Sequence, residues 1–192
     1  TADGTVMVKD INIGEGTSNL AGQYTRHTEL LGEGQAFVTF EGSIYFQANN
    51  GTWSDDNRTG SELWRSDGTT DGTYLVKEIR AGDIGGIQGH FESFGDHFYF
   101  PADDNTGNGT ELWRSDGTGE GTVLFKETYS GWQSGLSSPG RSIVVGDTLF
   151  FYARDGAEEN QYDYNIWKTD GTEEGTVKVS DSVIVQNGHH PV

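Results

Sequence analysis

The chain has 192 residues, with 30 acidic side chains against 12 basic ones and a net charge of −18 at pH 7. Nucleic acid and anionic membrane surfaces both need a positive face, so neither is expected as a partner, whereas a cation such as calcium suits this balance. Cysteine is absent, which removes disulfides, thiolate metal sites and cysteine nucleophiles.

Twenty-nine glycines stand beside 23 aromatic residues, a mixture that points to short strands and tight turns rather than to disorder. The first element in chain order is Gly4-Thr5 followed by an alternating run, Val6 to Ile11, which predicts a strand. Ala36 to Phe40 predicts a second strand, and a turn at Glu41-Gly42 leads into the aromatic strand Ser43-Ile44-Tyr45-Phe46. A polar loop then precedes Glu62-Leu63-Trp64-Arg65-Ser66-Asp67-Gly68-Thr69, after which Gly72-Thr73 opens a strand over Tyr74 to Ile79.

The same series recurs. His90 to Phe94, the turn Gly95-Asp96 and the strand His97 to Phe100 precede an identical octamer, Glu111 to Thr118, and Gly121-Thr122 opens Val123 to Thr128. A third round runs through Ser142 to Val145, Gly146-Asp147, Thr148 to Phe151, the variant octamer Asn165 to Thr172, and Gly175-Thr176 with Val177 to Ser180. Trp64, Trp113 and Trp167 are therefore 49 and 54 residues apart. Four short strands per repeat of this length, with no helical period, predict an all-β, β-propeller-like array of four-stranded antiparallel blades. A single blade cannot cover both of its own faces, so the repeat is the unit of stability. The expected organisation is one repeat domain: an orphan fourth strand and connector over 1–33, repeats over 34–80, 81–129 and 130–181, and a tail or further first strand over 182–192.

Within the octamer, Leu63 and Trp64 are adjacent strand positions and should face opposite sides of the sheet. Asp67, Asp116 and Asp170 are expected as turn formers, because a short carboxylate accepts nearby backbone N–H groups and the following glycine reaches a conformation closed to other residues.

The octamers with their Gly-Thr and Val-Lys-Glu-Ile continuations resemble the ELWxxDGT repeat of large secreted and surface proteins of bacteria. The resemblance covers nearly the whole chain. It implies a propeller-like repeat outside the cell or on its surface and supplies no catalytic residues. The third copy departs from it, with Asn165 for glutamate and Lys168-Thr169 for Arg-Ser.

Candidate chemistry lies in the loops between second and third strands. Asp55, Asp56, Asn57 and Glu62 in the first repeat, and Asp103, Asp104, Asn105 and Glu111 in the second, offer the oxygen donors that calcium prefers on a glycine-bent loop. Trp53 and Trp132 lie in loops rich in Gly, Ser and Asn, where an indole can stack on the apolar face of a sugar ring. No nucleophile elbow, phosphate loop or H-E-x-x-H pattern is present. The expectation is thus a non-catalytic extracellular binding or adhesion module, glycan-binding and calcium-stabilised. The alternative is a structural repeat that self-associates through open strand edges, and an enzyme is the third reading.

Overall fold

A computed structural model describes residues 4–11, 37–50, 60–82, 84–136, 142–156, 163–179 and 185–186. The described residues are all-β: thirteen strands and no α-helix. The first sheet holds β1 (Phe37–Phe40), β2 (Ser43–Ala48), β3 (Glu62–Ser66) and β4 (Tyr74–Lys77) in sequential antiparallel order. The second repeats that order with β5 (Glu92–Phe94), β6 (His97–Ala102), β7 (Glu111–Ser115) and β8 (Val123–Lys126). The third holds β9 (Ser142–Val145), β10 (Thr148–Ala153), β11 (Asp163–Thr169) and β12 (Val177–Lys178), with β13 (Val185–Gln186) pairing β11. β13 thus pairs within the third sheet, in the stretch expected as a tail or a further first strand. At the front, residues 5–11 make no strand pairing, so the strand expected over Val6 to Ile11 is absent from every sheet.

The first strands of the sheets meet: β1 approaches β5, and β5 approaches β9. The sheets therefore fan out from a common edge, each face covering its neighbour. One apolar cluster joins Val38, Tyr45 and Leu63 of the first sheet to Phe98, Phe100 and Trp113 of the second. A second joins Tyr99, Leu112 and Phe125 to Leu149, Phe151 and Trp167. Leu63 and Trp64 do point opposite ways, since Leu63 faces the second sheet and Trp64 packs with Phe46 and Ala48 on the far side. All three octamer tryptophans are buried. Alternation along a pleated strand places one apolar residue on each face, and both faces need cover.

The aspartate turns, Ser-Asp-Gly-Thr in two copies and Thr169-Asp170-Gly171-Thr172 in the third, share one hydrogen-bond pattern. Asp67 Oδ1 accepts from the Thr69 N–H at 2.9 Å and its hydroxyl at 2.7 Å. Asp116 with Thr118 and Asp170 with Thr172 repeat this. These bonds hold the three aspartates below the usual carboxylate range. A Cβ on Gly72, Gly121 or Gly175 would land on the aspartate carboxylate of its own turn. The Gly-Thr pair after each octamer is thereby explained: the glycine leaves room for the carboxylate. The threonine (Thr73, Thr122, Thr176) hydrogen-bonds Ser66, Ser115 or Thr169 beneath the turn at 2.6–2.7 Å.

Candidate functional site

In a four-stranded meander, alternate turns fall at opposite ends. The aspartate turns share one end of the stack with the first-to-second-strand turns. The loops from second to third strand and the connectors from each fourth strand to the next sheet share the other. Two glutamates build that second end.

Glu62 begins β3 and is fully buried. Its Oε2 accepts the backbone N–H of Ile79 at 2.6 Å and of Arg80 at 3.3 Å, and its Oε1 that of Gly86 at 3.0 Å. Glu111 does the same for the next connector, accepting the Thr128 N–H at 2.7 Å, the Thr128 hydroxyl at 3.0 Å and the Gly135 N–H at 3.0 Å. Each connector then meets the following sheet at an isolated bridge, Ile87 to Ala102 and Leu136 to Ala153, flanked by backbone hydrogen bonds such as Asp103 N–H to Gly86 O and Arg154 N–H to Gly135 O. The head glutamate of the octamer therefore clamps the chain that crosses between sheets. Close approach needs glycine there, because a Cβ on Gly135 would collide with Thr128 Oγ1 and with both Glu111 carboxylate oxygens. The third copy has Asn165 at this position, also buried.

Burial pushes both carboxyls up from their ordinary value of 4.5 to about 7, against the downward pull of the backbone N–H groups that they accept. A folded-state pKa above the unfolded one means that the folded protein holds more protons between 4.5 and about 7. Stability from these groups is present below that window and falls as pH rises through it, by up to about 1.4 kcal/mol per pH unit for each carboxyl. Urea unfolding should give a higher midpoint at pH 5 than at pH 8. A flat or rising profile would contradict the assignment.

The sequence-predicted ligands do not assemble as one set. Glu62 and Glu111, expected as calcium ligands, bind backbone N–H groups inside the connectors, a correction that follows from their full burial. Asp103 accepts from Arg80 through Oδ2 and from the Asn105 N–H through Oδ1 at 2.7 Å. Arg80 also donates to Asn105 Oδ1 at 3.0 Å. Asp104 caps its own turn, accepting the N–H and hydroxyl of Thr106 at 3.0 and 2.6 Å. Among the described residues no three His, Asp or Glu side chains converge as a metal site. Asp55, Asp56, Asn57 and Trp53 lie outside the described residues.

Trp132 is found on the connector after the second sheet, 80% exposed. Tyr129, three residues earlier, has the Arg154 guanidinium over its ring at 5.2 Å, and Arg154 Nε donates to Ser134 O at 2.7 Å. The same guanidinium also lies over the Tyr164 ring at 5.8 Å. The first connector carries Arg80 where the second carries Tyr129, and the following sheet answers with Asp103 in one case and Arg154 in the other. Sequence reasoning missed Arg80, Tyr129 and Arg154. The available signal was their shared position after the fourth strand or after the Ala102 and Ala153 alanines.

No family model and no curated protein matches this chain. Several solved structures are similar in part, two of them as follows. One is Bacteroides ovatus Xyloglucan PUL GH43B, with 16% identity and a TM-score of 0.40 over 81% of this chain and 28% of that one. The other is Zg3597, a family 117 glycoside hydrolase of the marine bacterium Zobellia galactanivorans, with 14% identity and a TM-score of 0.42 over 79% of this chain and 45% of that one. The chain thus spans less than half the length of either. Scores this low assign no activity. With glycoside hydrolases as the similar structures, however, the expectation of a non-catalytic adhesion module, and of no enzyme, is corrected and is not kept.

Proposed function

We propose that this chain supplies three blades of a carbohydrate-active β-propeller whose saccharide-binding surface is the connector end of the sheets. Trp132 carries the proposal. An indole left 80% exposed on a connector that Glu111 holds at two points is a fixed apolar platform beside polar groups. Sugar rings bind such surfaces by stacking their C–H face while their hydroxyls meet polar neighbours. Ordered polar groups lie on the same end: Gln133 and Ser134 next in sequence, Tyr129 and Arg154 beneath, and Arg80, Asp103 and Asn105 on the preceding connector and loop. The motif resemblance to secreted bacterial repeats fits a polymeric saccharide met outside the cell.

The test is a panel of soluble plant and algal polysaccharides, assayed by affinity electrophoresis and by release of reducing ends. Binding to at least one polymer is expected, and Trp132→Ala should weaken it about tenfold, the loss of one aromatic stacking contact. Exposed Trp132 contributes little to folding, so its variant keeps the wild-type unfolding midpoint. A panel with neither binding nor hydrolysis would remove the proposal. Calcium belongs to the same experiment. An increase in melting temperature with calcium, reversed by chelator, is the result expected if the Asp103–Asn105 loop takes the ion.

A further inference from the structure

Two exposed apolar side chains stand on successive connectors. Ile84, two residues before the clamped Gly86, is 57% exposed, and Trp132, three before the clamped Gly135, is 80% exposed. Neither connector is loose at these points. A Cβ on Gly60 would collide with the backbone of Ile84 and Gly85, and the Gly60 N–H donates to Gly82 O at 2.9 Å. Gly109 lies equally close to the backbone of Gln133 and Ser134, and the Thr110 N–H donates to Ser134 Oγ at 3.1 Å. Glycine is what lets backbone approach backbone so closely. Each apolar group is therefore mounted on main chain held by a glutamate and by a loop glycine.

The loop from Asp103 to Gly109 joins the two connectors. The Asp103 N–H donates to Gly86 O at 2.8 Å, and Arg80 of the first connector holds both Asp103 and Asn105. The other end of the loop, Gly109, rests on the second connector. Between these anchors Asn105 and Thr106 are exposed. An apolar group, a polar loop and a second apolar group thus follow one another across two sheets. Glu78 and Glu127, just before the two connectors, are exposed carboxylates. Three cations nearby are engaged. Arg80 is paired with Asp103, and Lys178 with Asp155 at 2.8 Å. Arg154, only 8% exposed, lies over the rings of Tyr129 and Tyr164 and donates to Ser134 O.

We infer, resting on the reading that this end binds saccharide, that its ligand is an uncharged polysaccharide lying across the first and second sheets, with sugar rings on Trp132 and further rings against Ile84. Neighbouring sheets stack about 10 Å apart, further than one sugar ring reaches, so only a chain of several rings meets both groups. Sugar hydroxyls suit the amide and hydroxyl groups of the loop. A uronate or sulfate ester would instead approach exposed carboxylates while the nearby cations are already paired. The net charge of −18 adds to that exclusion at longer range. Repulsion selects here as much as contact does.

The experiment measures binding of the full chain to matched pairs of polymers: hydroxyethylcellulose with carboxymethylcellulose, dextran with dextran sulfate, and agarose with carrageenan. In at least one pair the uncharged member should bind, and its anionic counterpart should bind at least about tenfold more weakly. Affinity for the uncharged polymer should hold steady between about 20 and 500 mM sodium chloride, since no ion pair is there to be screened. Fragments of the bound polymer give the second readout. Six-ring fragments should bind at least about tenfold tighter than two-ring fragments, and Ile84→Ser should remove most of that gain. Ile84 is exposed, so this variant should melt with the wild-type protein. Tighter binding of an anionic member would overturn the inference while leaving a saccharide site in place. So would affinity that falls with salt, or a length gain that is absent or untouched by Ile84→Ser. Failure to bind any polymer would remove the saccharide site and this inference together.

Discussion

Replacing Glu111 with alanine is expected to destabilise the chain by about 3–5 kcal/mol, among the largest effects of any single polar substitution here. The side chain is fully buried and accepts three hydrogen bonds, two from Thr128 and one from Gly135. Alanine would leave these donors without an acceptor, and an orphaned buried donor costs about 1–3 kcal/mol. Some of that would be recovered as the connector relaxes toward water. For a chain of this size the loss corresponds to a melting temperature lower by about 10 °C. Glu111→Gln should cost roughly half as much, since it retains one acceptor oxygen but turns an amide N–H₂ toward a backbone donor. Asp104→Ala removes a turn cap on the partly open loop and should cost about 1 kcal/mol or less. Circular-dichroism melts of the three variants provide the comparison. Were Glu111 a cation ligand instead of a clamp, its loss would abolish a calcium response and leave metal-free stability nearly unchanged. The clamp also reaches function: Tyr129 and Trp132 lie on the connector between the two clamped points, Thr128 and Gly135, so Glu111→Ala should weaken saccharide binding as well.

The second large effect is expected at the contact between sheets. Phe98 is 0% exposed and its ring meets those of Phe40, Tyr45, Phe91 and Phe100, with centroids 4.8–6.0 Å away. Phe98→Ala should cost about 3–5 kcal/mol, the transfer of a phenyl group plus the cavity left between two sheets that cannot fully close up. The same truncation at Ile44, its counterpart in the first sheet, should cost under about 1.5 kcal/mol, because Ile44 is already 40% exposed. The contrast between two residues at the same register of successive repeats reports the contribution of the neighbouring sheet. Equal costs would mean that the sheets are stable singly and that stacking contributes little.

Much of this arrangement was legible in the letters. The octamer recurred without ambiguity, and strict alternation through Leu63 and Trp64 required two buried faces, which in turn required neighbouring sheets. The turn aspartates could be assigned from local chemistry alone, since Asp67 and Thr69 are two residues apart and need no distant partner. Strand boundaries were less legible. The first two fourth strands were expected to run to Ile79 and Thr128, yet they end at Lys77 and Lys126, because Ile79 and Thr128 turn their N–H groups to a glutamate and away from the ladder. Ser180, the expected end of the third, lies outside the described residues.

The connector end was misread for the same reason. Glu62 and Glu111 stand next to acidic loops in sequence, and proximity along the chain suggested a shared cation. Their carboxylates in fact turn into the protein toward backbone 17 to 24 residues further on. A glutamate at the head of a strand has the same local signature whether it faces a metal or an amide.

By itself the sequence determined the repeat, the turn chemistry, the all-β class and the need for stacking, since each depends on residues near one another in the chain or on their period. Only the tertiary structure decided that the octamer glutamates clamp connectors, and that Arg80 meets Asp103 while Tyr129 meets Arg154. Those outcomes depend on which side of a sheet, and which end of it, a distant segment reaches. Periodicity fixes only that some segment must arrive.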